Sequence, residues 1–490
     1  MNPKPGKWHS LAALFLAAIP CLGATFQEIQ LTSTDADESN IVIEGDRSGG
    51  IHVAYVRGGN VYYQCRHFEG PLLVPEEWVT WGENPCLAVD PAGNPQVVAV
   101  SSGTVHYAWR TNGTWASSAV GEAADASFGI MEDGQAYIAY SHQIGDRSRI
   151  TLARLHTNSW AVLSDLFVGY DATYACCTIS PGEHHDFTEP SLACGGGVIH
   201  VAAAHTRSRD AGYTSQCYCA PRNDKRAAYC RYDFQSLQTS YSSWSSYEYL
   251  SMDRRWFCLS PDGVPHLLYL LGSGYNYCDS FLPWSAQLAP HPHVTALDAA
   301  WNNQVGLVDR DWNSGDIHLL LYANGAFSAG PLLSTQSVGQ LDLCLEYAVI
   351  AVIKTNESGS NDAYLWVNLD MDDDGIGDGW AQHHFGSLTN VYSDSRRDAY
   401  LCGTDPQNTD SRFRLEIVPS ETNSLSSLLI HPGSLARIYS LLVTTNEGLS
   451  WNPFLDCTNL PGRGIPIAVS NPPLASGHAW FKASAQHAVP

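Results

Sequence analysis

An aspartate-rich segment, DMDDDGIGDGW, has the spacing of a calcium-binding loop. Gly375 provides the turn at position 6 of such a twelve-residue loop, and Ile376 occupies position 7, where the backbone carbonyl is the ligand. Positions 1, 3, 5 and 9 are all aspartates: Asp370, Asp372, Asp374 and Asp378. Carboxylates this close repel one another unless a cation lies between them. The segment therefore predicts a Ca²⁺ site, with a solvated acidic linker as the alternative, and the affinity should be modest because Ala381 replaces the bidentate Glu of position 12.

A second pattern recurs through the first three quarters of the chain. It is a short apolar strand, a turn with Asp, Gly or Asn, and a second strand that often carries His. The clearest copies lie at 87–100, 129–140, 192–204 and 258–270, and weaker copies at 41–55, 297–309 and 341–353. Many copies continue into a third strand and several into a Trp-containing fourth. Seven such units are typical of a β-propeller, so we predict an all-β, seven-bladed β-propeller over residues 25–366.

The remaining sequence predicts three further segments. Residues 1–24 have the basic start, short apolar run and small residues of a secretory signal peptide. Residues 367–412 contain the aspartate loop and predict a calcium-binding linker. Alternating apolar and polar residues at 413–490 predict a small C-terminal β domain of the sandwich type.

Composition limits the partners and the compartment. The formal net charge of −23 argues against nucleic acid and leaves no polybasic face for anionic membranes. No second apolar stretch has the length of a transmembrane segment. We therefore expect a secreted protein, extracellular or periplasmic. The sequence leaves its oligomeric state open.

Repetition separates scaffold residues from candidate site residues. His52, His200 and His266 occupy the same position of the second strand in their repeats, which favours a structural role. Five residues further on, where each copy enters the loop to its third strand, the residue types do not repeat. That set is Arg57, Ser101, His142, His205, Leu271, Asp311 and Lys354. In a propeller these loops surround the central funnel, so the ionisable members are candidate ligand-binding residues, with an ordinary solvated loop as the alternative.

The fourth repeat has the densest set of reactive side chains. GEHHDFTEP places His184 and His185 on the entry side, and the segment after His205 contains Arg207 and Arg209. Imidazole groups can transfer protons, and guanidinium groups can bind a carboxylate bidentately.

Three resemblances extend this interpretation. The repeats resemble those of secreted bacterial proteins related to sialidases and to some polysaccharide lyases, and residues 368–413 resemble thrombospondin type 3-like calcium linkers. The phrase HDFTEPSL, followed by GVIHV and a further His, resembles the region that supplies paired catalytic histidines in propeller-type polysaccharide lyases. That last resemblance implies His185 and His205 as the catalytic pair, with Tyr213 as the acid or base. Removal of a proton beside a uronate carboxylate then needs a base and a cation that stabilises the enolate-like intermediate, and Arg207 or Arg209 could bind that carboxylate. Tyr241, Tyr247 and Tyr249 compete for the tyrosine role.

Six cysteines accompany the histidines of this region: Cys176, Cys177, Cys194, Cys217, Cys219 and Cys230. Their spacing matches no common zinc site, so disulfides are favoured over Zn²⁺ in a secreted protein. If zinc were bound, His184 or His185 would be a ligand and not a base.

The sequence favours a module that recognises an extracellular polysaccharide or a cell-surface partner through the propeller funnel. Abundant Trp and Tyr support this, because aromatic faces stack on sugars. The alternative is a polysaccharide lyase that cleaves uronate-containing glycans by β-elimination. A purely structural surface protein is a third possibility.

Overall fold

The computed structural model describes residues 25–487 outside a set of short gaps. The gaps are 157–158, 174–181, 215–216, 220, 235, 242–249, 252–255, 272–273, 279–286, 290–293, 301–302, 311–313, 324–325, 329–331, 335–337, 357–358, 371–373, 375, 388–392, 409, 419–426, 445–449, 455–456 and 471–479. The predicted signal peptide, 1–24, lies outside the described residues. The described chain is almost entirely β-strand, as predicted. Its helices are too short and too polar to cross a membrane.

The first strand, β1, spans Thr25–Gln30, and three four-stranded antiparallel sheets follow it. Sheet 1 contains β2 (Glu38–Gly45), β3 (Gly50–Arg57), β4 (Asn60–His67) and β5 (Leu72–Trp81). Sheet 2 contains β6 (Glu83–Val89), β7 (Pro95–Ser101), β8 (Thr104–Thr111) and β9 (Thr114–Glu122). Sheet 3 contains β10 (Asp125–Ile130), β11 (Ala136–Ile144), β12 (Arg147–His156) and β13 (Ser159–Val168). Inner strands such as β3 are buried on both faces and are nearly continuously apolar, whereas β9, an outer strand, has no buried residue.

Sheets 4 to 6 are five-stranded. Sheet 4 contains β14 (Tyr170–Thr173), β15 (Gly182–Gly195), β16 (Val198–Arg209), β19 (Arg222–Tyr232) and β20 (Leu237–Tyr241), with the hairpin β17 (Gly212–Thr214) and β18 (Cys217–Cys219) between β16 and β19. Sheet 5 contains β21 (Leu250–Ser251), β22 (Phe257–Leu259), β23 (Pro265–Leu271), β24 (Gly274–Cys278) and β25 (Gln287–Ala289). Sheet 6 contains β26 (Val294–Ala299), β27 (Val305–Arg310), β28 (Ile317–Ala323), β29 (Ala326–Ser328) and β30 (Leu332–Ser334).

Sheet 7 combines both ends of this region. It contains β31 (Gln340–Cys344), β32 (Val349–Thr355) and β33 (Asn361–Asp370), and its fourth strand is β1. The pairing of β1 with β33 is antiparallel, with Glu28 opposite Trp366 and Ile29 opposite Leu365. The innermost strands contact one another in succession around the molecule: β2, β6, β10, β15, β22, β26, β31 and again β2. A closed succession of antiparallel sheets is the architecture of a β-propeller.

Buried carboxylates join neighbouring sheets at the closure. Asp342 Oδ2 on β31 accepts a hydrogen bond from the backbone N–H of Ile43 on β2, at 2.9 Å. Asp298 Oδ2 on β26 accepts one from the N–H of Leu345, at 2.8 Å. Each bond satisfies a backbone donor of the next sheet, so these carboxylates help to fix the relative positions of sheets 6, 7 and 1.

The repeated histidines are structural, as predicted, but their partners differ from the expected backbone or neighbouring blade. Each donates to or accepts from a tyrosine hydroxyl on the next strand of its own sheet. The pairs are His52 with Tyr63, His200 with Tyr229 and His266 with Tyr277. In sheet 2 the same place is taken by Gln96, whose Oε1 accepts from Tyr107 OH at 2.7 Å. A polar pair between the second and third strands is therefore part of the blade architecture.

Two helices and two further sheets follow the propeller. The helices are α1 (Asp378–Phe385) and α2 (Asp394–Cys402). One sheet contains β34 (Arg414–Val418), β35 (Ser427–His431) and β39 (Ile467–Ser470). The other contains β36 (Arg437–Thr444), β37 (Asn452–Pro453), β38 (Leu460–Pro461) and β40 (Trp480–His487). A shared hydrophobic cluster packs the two sheets together: Leu428, Leu441, Phe454 and Val469.

The predicted linker is packed against the propeller. Trp380 of α1 and Tyr400 of α2 belong to the same hydrophobic cluster as Phe68 of sheet 1 and Tyr347 of sheet 7. Arg437 of β36 is fully buried and donates from Nη2 to Glu69 Oε1 at 2.8 Å. Because breaking a buried ion pair leaves an uncompensated charge, this contact holds the C-terminal sheets against sheet 1.

Asp342→Ala should destabilise the propeller at its closure. The substitution leaves the buried N–H of Ile43 without its acceptor, which costs about 1–3 kcal/mol. Asp342→Asn is the matched control, because its amide oxygen can still accept the bond. We expect a lower thermal unfolding midpoint and faster hydrogen exchange at Ile43 for the Ala variant only. Equal behaviour of both variants would show that the closure does not depend on this bond.

Candidate functional site

Sheet 4 is longer than its neighbours at one end. The backbone N–H of Leu192 on β15 bonds to Ser127 Oγ on β10 at 2.9 Å, which aligns the two inner strands. Strand β10 begins just before this point, at Asp125, whereas β15 begins far ahead of it, at Gly182. The first residues of β15 therefore extend past the start of β10. Strands β16 and β19 continue alongside this extension.

The extension places reactive side chains on one face, here called the sheet 4 face. Residues directly opposite in an antiparallel pair share a face, and alternate residues of one strand do too. Two cross-strand rows follow from the register. Row one is His185, Arg207 and Asp224, row two is Phe187, His205 and Arg226, and Glu183 lies opposite Arg209 one step further out. The structure therefore brings together four predicted residues: His185, His205, Arg207 and Arg209.

His185 and His205 form a hydrogen-bonded pair. His185 Nδ1 lies 3.0 Å from His205 Nε2, and Arg226 Nε donates to His205 Nδ1 at 3.0 Å. Because the guanidinium can only donate, His205 Nδ1 is an acceptor and its proton is on Nε2. That proton is donated to His185 Nδ1, so the proton of a neutral His185 is on Nε2. His185 therefore presents an N–H at Nε2, on the side where Glu183 Oε1 lies 3.9 Å away.

Burial keeps the pair neutral. His205 is fully buried and His185 is nearly so. Burial, with the nearby positive charge of Arg226, lowers the pKa of His205 to about 3. Burial also lowers the pKa of His185. His205 lies behind His185 and touches no solvent, so only His185 of the predicted pair is placed to meet a ligand.

Arginines and carboxylates surround the pair. Glu183 Oε1 lies 3.1 Å from Arg207 Nε and accepts from Arg209 Nε at 3.3 Å. Arg207 also donates from Nη2 to Asp224, which is buried. With Arg226, the three guanidinium groups and two carboxylates carry one net positive charge. This is a basic cluster on an acidic protein, and its geometry suits a carboxylate ligand.

Aromatic rings border the cluster. Tyr170 stacks on His185, with ring centroids 4.1 Å apart, and remains 47% exposed. Phe187 stacks on His205 at 4.1 Å, and the Arg226 guanidinium lies 4.0 Å from the ring centre of Tyr241. Two exposed tyrosines therefore border the histidine pair: Tyr170 beside His185, and the predicted candidate Tyr241, whose ring centroid lies 5.7 Å from that of His205.

Sequence reasoning did not single out four members of this site: Tyr170, Glu183, Asp224 and Arg226. The segment RNDKR contains Asp224 and Arg226 at alternate positions, the spacing of one strand face. That spacing predicts that Asp224 and Arg226 share a strand face. It does not place them beside His205 unless the pairing of β16 with β19 is known, and the sequence does not provide that pairing.

Other predicted site residues lie elsewhere. Arg57 pairs with Glu38 and Glu76 of sheet 1, at 2.6 Å each. His142 Nε2 lies 2.9 Å from Thr151 Oγ1 within sheet 3. Neither joins the sheet 4 face, because each is held by its own sheet. Asp311 and the side chain of Tyr213 lie outside the described residues.

His184 lies at the same end of sheet 4 as His205 but on the opposite face of the sheet. Successive strand residues point to opposite faces, so His184 projects away from His185. Its Nδ1 lies 2.7 Å from Asp171 Oδ1, which also accepts from Arg147 Nε of sheet 3 at 2.7 Å. His184 therefore belongs to the contact between sheets 3 and 4.

The central channel has the opposite electrostatic character. A cavity of about 300 Å³ is lined by the inner strands of all seven sheets, including Glu44, Asp298, Asp342 and Glu346. Burial and mutual repulsion raise the pKa of Asp298, and burial with the nearby Glu44 raises that of Glu346 to about 7. An acidic channel does not favour an anionic ligand, whereas the basic cluster of the sheet 4 face does.

The aspartate loop adopts a turn in its described part. Asp370 Oδ1 accepts from the N–H of Asp374 at 3.1 Å, and Asp374 Oδ1 accepts from the N–H of Ile376 at 2.8 Å. Asp370 and Asp378 are buried. Asp372 lies outside the described residues, and among those described no three His, Cys, Asp or Glu side chains form a group that could hold a metal. A complete calcium site would need Asp372 and further oxygen ligands.

The predicted disulfides do not include Cys194 and Cys230, which are free thiols. Burial raises the pKa of Cys230 to about 12 and that of Cys194 further, so both are protonated and unsuited to zinc. The side chains of Cys176, Cys177, Cys217 and Cys219 lie outside the described part of the chain.

Comparison with known proteins does not assign the chain to a family. No protein-family model matches the chain, and no curated protein matches its sequence. Solved β-propellers of similar fold include an ulvan lyase of polysaccharide lyase family PL25 bound to -[GlcA(1-4)Rha3S]-. It is 10% identical with a TM-score of 0.47, over 76% of this chain and 99% of that one.

Two further solved structures are similar to this chain. A catalytically inactive virginiamycin B lyase from Staphylococcus aureus is 11% identical, with a TM-score of 0.43, over 70% of this chain and 99% of that one. The β-propeller domain of the trilobed protease from Pyrococcus furiosus is 9% identical, with a TM-score of 0.38, over 68% and 95%. At this level of similarity none of them assigns an activity or a ligand to this chain.

The buried histidines should stay neutral well below their usual pKa. Burial lowers the pKa of His205 to about 3 and that of His200 to about 4. Because the unfolded chain takes up these protons near pH 6.5, acidification from there towards pH 4 should progressively lower the free energy of unfolding. Selective ¹⁵N labelling of histidine should show both rings neutral from pH 7 to pH 5.

The same spectra test the tautomers. Wild-type His185 and His205 should both carry their proton on Nε2, and Arg226→Met should release this preference. Titration of either ring near pH 6.5 in the folded protein, or a proton on His205 Nδ1, would contradict the arrangement.

Proposed function

We propose that the protein is a polysaccharide lyase that cleaves uronate-containing glycans by β-elimination on the sheet 4 face. The neutral His185–His205 pair, set in a cluster of arginines beside an exposed tyrosine, is the observation that supports this. A buried pair of this kind costs stability, and such perturbed groups concentrate at functional sites.

In this proposal the uronate carboxylate binds beside Arg207 and Arg209. Negative charge grows on that carboxylate when the proton leaves the adjacent carbon, so donors aimed at it stabilise the transition state. Arg207 and Arg209 lie in place to neutralise it, although each also contacts Glu183. The net positive charge of the cluster favours the anion.

His185 acts as a donor in this scheme. Its Nε2–H can bond to the carboxylate as charge develops there, the role of a neutral imidazole electrophile. His205 and Arg226 are positioning residues, because they fix the tautomer of His185 without reaching the ligand. This assignment differs from the predicted role of His185 as the base.

The base must then be another group. Tyr170 is stacked on His185 and exposed at the edge of the cluster, so we assign it the proton transfer. The phenolic oxygen of Tyr170 would take the proton from the carbon beside the carboxylate while its own proton passes to the glycosidic oxygen. The bond from the next carbon to that oxygen breaks, a carbon–carbon double bond forms, and Tyr170 is left as a neutral phenol.

Recognition without cleavage is the second candidate. The observation that favours it is the saturation of the arginines by Glu183 and Asp224, which suits a carboxylate-binding surface that performs no chemistry. The two candidates predict the same ligand class and differ in whether unsaturated products form.

The remaining features complete the proposal. Each of the seven sheets is one blade, and the protein is secreted and bound to calcium through Asp370, Asp372, Asp374, Asp378 and the carbonyl of Ile376. Calcium would neutralise clustered carboxylates where β33 leaves the propeller, ordering the connection to α1. The thrombospondin type 3-like character of residues 367–412 stays a prediction.

Lyase activity should appear as a rise in ultraviolet absorbance when the protein is incubated with a panel of uronate-containing polysaccharides. His185→Ala should lower the rate about 100-fold or more, the usual cost of removing a transition-state donor. His185→Gln should retain more activity, because its side-chain N–H can occupy the place of the imidazole Nε2–H. Loss of activity in both variants equally would contradict the donor role and favour His185 as the base.

His184→Ala is the matched control, since His184 is the adjacent residue on the opposite face and should leave the rate unchanged. Absence of product across the panel, with binding of the same polysaccharides retained, would support the recognition module instead. Absence of both would overturn the assignment of the sheet 4 face.

A further inference from the structure

The twelfth position of the aspartate loop cannot supply a ligand. Ala381 has no side-chain oxygen and is only 1% exposed. It packs in one hydrophobic cluster with Ile376, Trp380 and Tyr347. The helix is fixed in this orientation because Gly379 packs directly against the carbonyl of Tyr347, leaving no room for a side chain there. Rotation of α1 therefore cannot bring another residue of the helix to the place that Ala381 occupies.

The next residue has an unexplained polar group. Gln382 is 6% exposed, and its side-chain Oε1 is buried without a hydrogen-bond partner. A buried amide oxygen that accepts nothing is costly, and native structures rarely tolerate one without a reason. In α1, Gln382 lies four residues after Asp378, so the two side chains are neighbours on one helix face.

We infer that Gln382 supplies the side-chain oxygen that the loop lacks at position 12, as a ligand to the calcium held by Asp370, Asp374 and Asp378. This inference rests on the calcium binding proposed above. A neutral amide oxygen is an ordinary calcium ligand, but it gives one bond where a bidentate carboxylate gives two.

Gln382→Met tests the inference, because it keeps the length and burial of the side chain and removes the oxygen. After chelator treatment and dialysis, calorimetric titration with calcium should show a Kd at least tenfold weaker for the variant than for the full wild-type chain. Gln382→Glu should bind more tightly than wild type, since it restores a charged, bidentate side chain. Gln407→Met is the control, because Gln407 already donates to the carbonyl of His384.

Thermal unfolding gives a second, independent measurement. In chelator, Gln382→Met should unfold at the same or a higher temperature than wild type, because the unsatisfied amide has gone. In calcium the order should reverse, because wild type gains more from the ion. A purely structural glutamine would lower the unfolding temperature of the variant in both conditions.

The outcomes separate the two proposals. If wild type shows neither binding heat nor a calcium-dependent unfolding temperature, calcium binding itself is wrong. If wild type binds calcium and Gln382→Met binds it equally well, the loop is a calcium site and the role of Gln382 is wrong.

Discussion

The antiparallel pairing of β1 with β33 is the contact on which the rest of the structure depends. Each sheet of a propeller can bury its faces only between two neighbours, so a ring that is open at one point exposes two sheet faces to water. Here the two ends of the propeller region share sheet 7, and Asp342 ties that sheet to sheet 1. Glu28 and Trp366, which are 338 positions apart in the chain, thus help to close one core, and the loss of conformational entropy is offset by burial around the whole ring.

Closure also explains why one sheet can carry the site. The ring fixes the inner ends of all the sheets, so the extension of β15, β16 and β19 beyond it adds reactive groups without disturbing the core. The sheet 4 face is then rigid enough to hold His185 against His205 at hydrogen-bond distance. The closure also holds the start of the aspartate loop, because β33 pairs with β1 and ends at Asp370, the first residue of that loop.

The repeats and the structural role of their histidines could be predicted from the sequence, because those signals are local and recur. It contained less of the site, because His184 and His185 point to opposite faces and only the strand register decides which faces inward. The register shifts at Glu189, between the paired segments of β15, so the alternation before it cannot be carried over from the regular part of the blade. Arg226 became significant only when pairing placed it beside His205. Long-range pairing, not residue type, was the missing information.

The positive charge of the arginine cluster and the position of the proton on His185 both favour an anionic ligand on the sheet 4 face. The chain carries a net charge of −23 and its channel is acidic, so its overall field does not attract the polyanion that we propose as ligand, and only the local cluster would do so. Protonating the histidines would add positive charge there, but burial and Arg226 both oppose it. Arg226 therefore has two effects: it adds a positive charge to the cluster, and its Nε–H holds the proton of each imidazole on Nε2. The pair therefore presents the Nε2–H of His185 as a fixed hydrogen-bond donor and carries no charge of its own. In the proposed function, this donor would orient the ligand carboxylate beside the arginines.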